Sequence, residues 1–380
     1  MRFIHTSDWH IGRQFHNQSL LDDQRHVLDQ LLAHVATQAV DALVIAGDIY
    51  DRSVPPAAAV ELLDEVLQRL CGELQVPVIL IPGNHDSAER LRFGARQLQQ
   101  AGLHILGDLQ RITEPVILKG VRFYAIPYND PERVRALLGG AVKTHDEAHR
   151  YLIEQIDAVS RADGDDSPRV LISHCFIDGA EESDSERPLS IGGADRVGYQ
   201  PFSGFDYVAL GHLHSPQYRG AEHIRYSGSI LKYSFSEQHQ KKAVTLVEID
   251  ARQRVATRQL PLLPLRDMRV LEGELATLLA QGQTDPRADD YLLVRLTDRH
   301  AILDPMGKLR RVYPNVLHLE KPGMLISGEQ QLQRDKLQQG EMAMFRDFFQ
   351  QVAGQSLSPD QEVALAQTIG RIQRVGEEGA

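Results

Sequence analysis

Residues 76–86 read VPVILIPGNHD, an apolar run that changes abruptly to polar side chains. The run 76–82 predicts a short buried strand, and Asn84, His85 and Asp86 follow at its carboxyl end. A simple turn would explain these residues, because glycine accepts positive φ and asparagine tolerates the left-handed region. A binding site would explain them equally well, so the rest of the chain has to decide.

The strand at 76–82 is one of three in a regular series. Shorter apolar runs at 2–6 and 42–47 also predict strands. Helical patterns separate and follow the three strands, at 20–38, 55–70 and 87–102. This βαβα order predicts an α/β fold with a mostly parallel sheet and helices on both faces.

Further strands and helices are predicted towards the C-terminus. Two helices are expected between 130 and 160, and the polar, glycine-rich segment 177–198 is typical of a long functional loop. The later strands are predicted at 121–127, 169–174, 207–212, 223–229 and 243–250.

Two prolines in the segment 260–267 indicate a domain boundary. We expect a first domain at 1–260, a small α+β domain at 261–326, a linker at 327–340 and a helical segment at 341–376. Within the α+β domain, strands are predicted at 269–273, 291–298 and 315–321 and a helix at 301–311. A serine N-cap, a proline and a capping-box glutamine in SPDQ, 358–361, predict the start of the last helix.

Composition places the chain among ordinary globular proteins. Its 380 residues are 42% hydrophobic and 24% charged, with a net charge of −11. That charge argues against a protein that coats nucleic acid by bulk attraction, but not against a nuclease. With two cysteines, no evident signal peptide and no apolar run long enough for a membrane span, we expect a cytoplasmic protein without a membrane segment.

Residues that can bind metal ions follow five of the predicted strands. Because ligands of open α/β sheets collect at the carboxyl ends of strands, these groups are expected to converge. In chain order they are Asp8 and His10; Asp48, Asp51 and Arg52; Asn84, His85 and Asp86; His174; and His212 and His214.

The residue types suit a site for two divalent ions. Such a site needs a bridging carboxylate, several imidazoles and further oxygen ligands. The pairs Asp8/His10 and His212/His214 each place two side chains on one side of an extended segment. Each group alone has a plain explanation as a turn or a satisfied polar residue, but the ordered set predicts a dinuclear metal centre.

The ordered set resembles the calcineurin-like metallophosphoesterase superfamily, whose fold has layered β-sheets flanked by helices. Within it, the chain is similar to the branch of double-strand-break repair nucleases, from Met1 to near Asp250 and more weakly through a small capping domain. The similarity to that branch lies in HTSDWHIG (5–12), SERPLSIGG (185–193), GFDYVALGHLHSPQ (204–217) and RYSGSILKYSFSE (225–237).

The resemblance implies a role for each ligand-type residue. Asp8, His10 and His214 would hold a first metal ion. Asn84, His174 and His212 would hold a second, and Asp48 would bridge both. His85 would face the scissile phosphate, oriented by Asp51, and Arg52 is a candidate phosphate contact or a solvated surface residue. The ions would most typically be Mn²⁺, with Mg²⁺ possible.

The resemblance also implies partners. The activity would be exonuclease and endonuclease cleavage of DNA ends and hairpins in repair, recombination and replication, with the protein on the nucleoid when bound to DNA. Helices near 56–71 and 87–101 would form a homodimer, or simply pack on the sheet. The terminal helices would bind an SMC-like ATPase through Phe345, Phe348 and Phe349, or pack within the chain. The chain itself has no GxxxxGK[ST] motif for ATP.

Two other functions are weighed against the nuclease. A free-standing phosphoesterase acting on a small phosphodiester would not need the capping domain and the terminal helices. A non-catalytic scaffold would be expected to have lost one or more of the ligands. Trp9 is expected to pack beneath the site, with stacking on DNA as the alternative, and Tyr233 and Phe235 either lie near the site or belong to the core.

Overall fold

The structure is a computed structural model, and it describes residues 1–186, 195–298, 300–321 and 356–377, together with residues 342, 345–346 and 349–350. The chain divides into two compact units, Met1–Met268 and Arg269–Ala380. No helix among the described residues is long and apolar enough to cross a membrane.

The strands and helices are numbered in chain order. The strands are β1 (Arg2–Thr6), β2 (Gln14–Phe15), β3 (Gln18–Ser19), β4 (Ala42–Ala46), β5 (Val78–Ile81), β6 (Leu103–Ile105), β7 (Val116–Leu118), β8 (Val121–Ile126), β9 (Arg169–His174), β10 (Phe176–Ile177), β11 (Arg196–Val197), β12 (Tyr207–Gly211), β13 (Gln217–Arg219), β14 (Ala221–Tyr226), β15 (Ala243–Ile249), β16 (Val255–Pro261), β17 (Met268–Gly273), β18 (Tyr291–Leu296) and β19 (Val316–Glu320). The α-helices are α1 (Leu21–Gln38), α2 (Ala57–Leu67), α3 (Ala88–Leu91), α4 (Ala95–Leu98), α5 (Pro131–Leu138), α6 (His145–Asp163), α7 (Leu275–Gly282), α8 (Pro305–Arg310) and α9 (Pro359–Glu377).

Two six-stranded sheets form the first unit. One has the order β16-β15-β1-β4-β5-β6, and the other has the order β13-β14-β12-β9-β8-β7. Strands β1, β4, β5 and β6 run parallel to one another, as do β14, β12, β9 and β8. The outer strands β15, β16, β13 and β7 pair antiparallel with their neighbours.

One apolar core lies between the two sheets. Phe3, Val44 and Ile79 of the first sheet share one buried cluster with Phe123 and Ile172 of the second. Strands β4 and β5 are apolar at every position and buried throughout, since a layer covers each of their faces. Layered sheets flanked by helices confirm the fold class expected from the sequence.

One predicted helix is broken. The segment 87–102 forms the short helices α3 and α4 and a 3₁₀ turn rather than a single helix. Gly94 lies between α3 and α4 with φ of 71°, in the left-handed region that ends helices. The prediction of a continuous helix was therefore wrong at the one glycine inside its pattern.

The helix predicted at 55–70 begins and ends differently from the expectation. It starts at Ala57, and the chain continues from α2 into a π-helical stretch, Gln68–Glu73. Strand β16 had no prediction, because its central residues are exposed and its sequence, VATRQLP, has little apolar pattern. It is an edge strand, identified by its pairing with β15.

The second unit has its own sheet of β17, β18 and β19. Leu278, Leu292, Val294 and Tyr313 belong to its apolar core. The helix predicted at 301–311 is shorter, because Asp304 caps α8 and Pro305 begins it. In α9, Ser358 and Gln361 form the expected capping box through bonds of 3.3 and 2.9 Å. The predicted linker at 327–340 lies outside the described residues, and the four-part domain division stays a prediction.

Candidate metal centre

The ligand-type residues converge where the carboxyl ends of the two sheets meet. Asp8 and His10 follow β1, Asp48 follows β4, and Asn84 and His85 follow β5, all in the first sheet. His174 ends β9, and His212 and His214 follow β12, in the second sheet. All of these side chains except Asn84 are buried.

Asp48 lies at the centre of the cluster. Its Oδ2 is 3.6 Å from His10 Nε2 and 3.5 Å from His174 Nε2, so one carboxylate oxygen faces an imidazole on each side. Its Oδ1 accepts a hydrogen bond of 2.9 Å from the backbone N–H of His85. Asp48 thus occupies the position that a bridging ligand would need.

On one side of Asp48, His10 Nε2 lies 3.1 Å from His214 Nε2. Asp8, His10 and His214 each offer one possible ligand atom, and these three atoms lie within 4.8 Å of one another. Two ring nitrogens this close require a proton or a cation between them.

On the other side, Asn84 Oδ1 is 2.9 Å from His174 Nε2 and 3.2 Å from His212 Nδ1. His174 Nδ1 lies 2.8 Å from the carbonyl oxygen of Ala46, which can only accept, so Nδ1 carries a proton. In a neutral His174 ring, Nε2 then presents a lone pair to the oxygen of Asn84. A divalent cation would satisfy both atoms, and imidazole, carboxylate and amide oxygen are all suitable donors. The residues therefore fit a pair of divalent ions.

Several of these residues have strained backbones. Asp8, His10, Asp48 and His212 have φ of 52°, 45°, 51° and 107°, values that non-glycine residues rarely adopt. Strain of this kind persists where the surrounding structure holds a functional geometry. Here it turns the side chains that follow β1, β4 and β12 into a common space.

Close packing requires the glycine that begins each of three motifs. A Cβ on Gly83 would lie 2.2 Å from Asp48 Oδ1, and one on Gly211 would lie 1.9 Å from the carbonyl oxygen of Ala46. A Cβ on Gly47 would lie 2.3 Å from His174 Nδ1. The motifs GD, GNHD and GHLH therefore need glycine because the backbone of one strand touches the ligands of another.

Burial and mutual charge shift the ionisation of the cluster. Burial raises the pKa of Asp8 to about 6 and lowers that of His212 to about 3. Burial opposes the charged form of Asp48, but the neighbouring His174 and His10 hold its pKa well below the usual range. Burial also disfavours charged His174, yet the Asp48 carboxylate raises its pKa to about 9. Buried acidic and basic groups with pKa values shifted this strongly are typical of a functional site.

His85 is held differently from the expectation. Its Nδ1 donates a 2.8 Å hydrogen bond to the backbone carbonyl of Asp51, not to the Asp51 carboxylate. That carboxylate lies 3.3 Å from Arg13 Nη1 and 3.7 Å from His10 Nδ1. Asp51 contacts both histidines, but it orients His85 through the main chain and directs its charge towards His10 and Arg13.

Arg52 and Trp9 differ sharply in exposure. The Arg52 side chain is 70% exposed, with Nε 3.7 Å from Asp51 Oδ2. Trp9 is fully buried and donates through Nε1 to Thr6 Oγ1 at 3.0 Å. Packing beneath the site is therefore the correct expectation for Trp9, and base stacking by its ring is wrong. Tyr233 is buried too, with its ring centroid 5.4 Å from that of His10.

Asp86, one of the candidate metal-binding residues, instead stabilises the backbone of the site, and Gln24 supports the site without a signal in the sequence. Asp86 accepts hydrogen bonds from the backbone N–H groups of Ile49, Tyr50 and Gly83 at 2.9–3.0 Å, which locks the turn around Asn84. Burial and the nearby Asp48 raise the pKa of Asp86 to about 7. Gln24, from α1, donates to the carbonyl oxygen of His10 at 2.7 Å. Only the tertiary fold brings Gln24 to the site.

A mostly buried group of polar residues behind His214 had no role predicted from the sequence. It consists of Ser185 and Glu186 from the long loop and Glu237 and Lys242 from the segment before β15. Glu186 Oε1 accepts from the backbone N–H of His214 at 2.8 Å. Burial disfavours charge on Glu237, but Lys242 and His214 hold its pKa well below the usual range. Residues 187–194 of the loop lie outside the described residues.

The proposed partner-binding phenylalanines are described only in part. Phe345 is 43% exposed and Phe349 is partly exposed, whereas Phe348 lies outside the described residues.

Comparison with known sequences shows two family matches. The sequence model of the calcineurin-like phosphoesterases matches residues 1–216. A second, described as the type 5 capsule protein repressor C-terminal domain, matches residues 264–353.

Two curated bacterial relatives are similar over most of the chain. The SbcD subunit of nuclease SbcCD from Staphylococcus epidermidis is 38% identical over 320 residues, which cover 84% of this chain and 85% of that protein. The protein of the same name from Staphylococcus saprophyticus is 36% identical over 324 residues, covering 84% of each chain. A dimetal phosphatase of known structure from Danio rerio has 13% identity, covers 69% of this chain and 96% of its own, and has a TM-score of 0.43. Similarity this weak carries no functional conclusion.

Proposed function

This chain belongs to the calcineurin-like phosphoesterases and, among them, to the SbcD proteins of nuclease SbcCD, and on that basis we propose that it is the nuclease subunit of an SbcCD-like complex. It is a metal-dependent phosphodiester hydrolase. The observation that carries the proposal is the convergence of buried carboxylates and imidazoles, together with the Asn84 amide, at the carboxyl ends of both sheets.

We further propose how the ligands divide between two divalent ions. Asp8, His10 and His214 would hold the first, and Asn84, His174 and His212 the second. Asp48, which faces an imidazole on each side, would bridge them. The mixed donor set is compatible with Mn²⁺ as the preferred ion and with Mg²⁺ as an alternative.

When bound, such ions would activate a water and stabilise the charge that develops on the phosphate. The protein would supply the proton that the leaving oxygen needs. His85 is suited to this because its Nδ1 is fixed by the Asp51 carbonyl, which leaves Nε2 as the ring atom available for the substrate. Positioned proton transfer of this kind contributes about 10²–10⁴-fold to rate. Arg52 would contact a phosphate, since its side chain is exposed beside Asp51.

The other two functions are not favoured. A free-standing phosphoesterase would not need the region after residue 260, yet the SbcCD relatives match over 84% of this chain. A non-catalytic scaffold would not need to retain all seven ligand residues in one cluster.

The proposed partners follow from family membership. They are an SbcC-type ATPase, contacted through Phe345, Phe348 and Phe349, and DNA ends and hairpins. We also propose a homodimer through α2 and the α3–α4 region, which expose Val60, Phe93 and Leu98. Its work in DNA repair, recombination and replication would place it in the cytoplasm, on the nucleoid when bound to DNA.

The first experiment is Mn²⁺-dependent cleavage of a labelled DNA hairpin by the wild type and Asp48→Ala, beside a chromogenic phosphodiester. EDTA should abolish cleavage, Mn²⁺ should restore it, and Asp48→Ala should be inactive. Activity indifferent to EDTA would refute the metal mechanism. If only the small ester is cleaved, the assay is repeated with SbcC, and continued failure on DNA would favour the free-standing enzyme.

A further inference from the structure

A chain of buried hydrogen bonds runs from His214 away from the metal centre. Ser185 Oγ lies 2.6 Å from His214 Nδ1 and also bonds to Glu237 Oε1. Glu237 is fully buried, and its second oxygen accepts a 2.6 Å bond from Lys242 Nζ. Four groups therefore form a line: imidazole, hydroxyl, carboxylate and ammonium.

The chemistry of the carboxylate sets the direction of this line. An ionised carboxylate can only accept, so the single hydroxyl proton of Ser185 goes to Glu237. The hydroxyl oxygen must then accept from His214, which places the ring proton on Nδ1. His214 Nε2, 3.1 Å from His10 Nε2, is thereby left with a lone pair facing the metal centre.

Lys242 fixes the other end of the line. Its Nζ lies 2.8 Å from the His214 carbonyl oxygen, 2.8 Å from Ser229 Oγ and 2.7 Å from Gln240 Oε1, besides Glu237, so its three N–H groups serve four oxygens. Because an ammonium has no acceptor, whatever atom of residue 237 faces it must be an acceptor.

We propose that Glu237, acting through Ser185 and held by Lys242, is a positioning residue that sets the tautomer of His214 for binding the first metal ion. The inference rests on the proposed metal-dependent function. Groups that orient a ligand histidine from behind commonly change metal affinity by 10- to 100-fold when altered. The Glu237–Lys242 ion pair would thus determine which ring nitrogen of His214 carries the proton, besides stabilising the fold.

The substitution Glu237→Gln tests the direction of these hydrogen bonds with almost no change in the shape of the side chain. Lys242 would hold the amide oxygen, which turns the amide NH₂ towards Ser185. The hydroxyl would then donate to His214 Nδ1 and leave the proton on Nε2, where it blocks the metal. We expect Mn²⁺ binding, measured by calorimetry and by electron paramagnetic resonance of free Mn²⁺, to weaken about 10- to 100-fold at one of two sites.

Removing Lys242 should reverse this defect. In the double variant Glu237→Gln/Lys242→Met, the amide is free to turn its oxygen to Ser185 and restore the tautomer. Mn²⁺ affinity should recover by about tenfold over the single variant. If the Glu237–Lys242 ion pair were only structural, the double variant should bind Mn²⁺ no better than the single variant, because it loses more contacts. The matched control is Asp23→Asn, which removes another buried, ion-paired carboxylate and should leave Mn²⁺ affinity unchanged.

Each result supports or overturns the inference. Unchanged Mn²⁺ binding in a folded Glu237→Gln variant, or no recovery in a folded double variant, would overturn it. If Glu237→Gln does not fold by circular dichroism, Ser185→Ala decides, because it removes only the bridging hydroxyl and should weaken the same site. Absence of Mn²⁺ binding to the wild type would instead reject the proposed function.

Discussion

A substitution of His85 can test the role of a side chain in catalysis separately from metal binding. The ring of His85 contacts the Asp51 carbonyl, and its centroid lies 4.6 Å from that of His10, yet His85 is not among the proposed ligands. We expect His85→Ala to lower DNA cleavage by at least about 10²-fold, the scale of positioned proton transfer. Calorimetry should still detect two bound Mn²⁺ ions.

The control for this variant is His104→Ala, a partly buried histidine on β6 away from the ligand cluster. It should keep both cleavage and Mn²⁺ binding. Loss of both metals in His85→Ala would show that His85 is itself a ligand and would remove its proposed role.

Gly83 tests the close packing of the ligand loops. A Cβ at this position would lie 2.2 Å from Asp48 Oδ1 and 2.4 Å from Asp48 N, a contact that backbone and ligand must move to relieve. We expect Gly83→Ala to abolish Mn²⁺ binding and cleavage, measured together. Gly204→Ala is the control, because its nearest neighbour would be at 3.5 Å and its φ is not positive. Mn²⁺ binding equal to the wild type in Gly83→Ala would contradict the argument.

At the scale of elements, the sequence is informative where a pattern is local. Strands β4 and β5 are continuous apolar runs, so both are evident in the sequence. The break at Gly94 was missed because a helical pattern continues on both sides of it. Edge strand β16 was missed because it has little buried face.

The same distinction applies to the candidate site. Asp8, His10, Asp48 and Asn84 could be named because strand ends concentrate ligands. The roles of Gln24 and Glu237 could not be predicted, since neither residue stands directly at a strand end, and the contacts of Gln24 with His10 and of Glu237 with Ser185 depend on the tertiary fold. Which atom of Asp51 meets His85 also depends on the loop conformation, which no side-chain pattern determines.

A buried histidine of helix α6, His149, should make the stability of the protein depend on pH in the acid range. His149 is buried, donates through Nδ1 to the His145 carbonyl at 2.9 Å, and faces Ser173 Oγ with Nε2 at 3.4 Å. Burial lowers its pKa from 6.5 to about 4. Between these pH values the unfolded chain binds a proton that the folded chain does not, so stability falls as pH falls from about 6.5 to 4, by about 3 kcal/mol in total.

Urea unfolding in EDTA measures this effect as a difference between proteins. The variant His149→Gln keeps a polar side chain that does not titrate. The free energy of unfolding of the wild type should fall relative to the variant as pH is lowered from about 7 to about 4.5, the range in which His149 differs between the folded and unfolded chains. A difference between the two proteins that stays constant with pH would contradict the prediction.

At the scale of the whole molecule, the metal centre and the C-terminal region belong to different units. All proposed ligands lie in Met1–Met268, which has its own core between two sheets, whereas residues 341–380 belong to Arg269–Ala380.

Deleting 341–380 should therefore spare Mn²⁺-dependent cleavage of a chromogenic phosphodiester. It should also abolish co-elution with SbcC in gel filtration, because the proposed aromatic contacts are removed. The control is Phe345→Ala/Phe349→Ala in the full chain, which should weaken the complex without changing ester cleavage. Unchanged complex formation by the truncated chain would place the ATPase contact elsewhere, and loss of ester cleavage would show that the C-terminal region supports the metal centre.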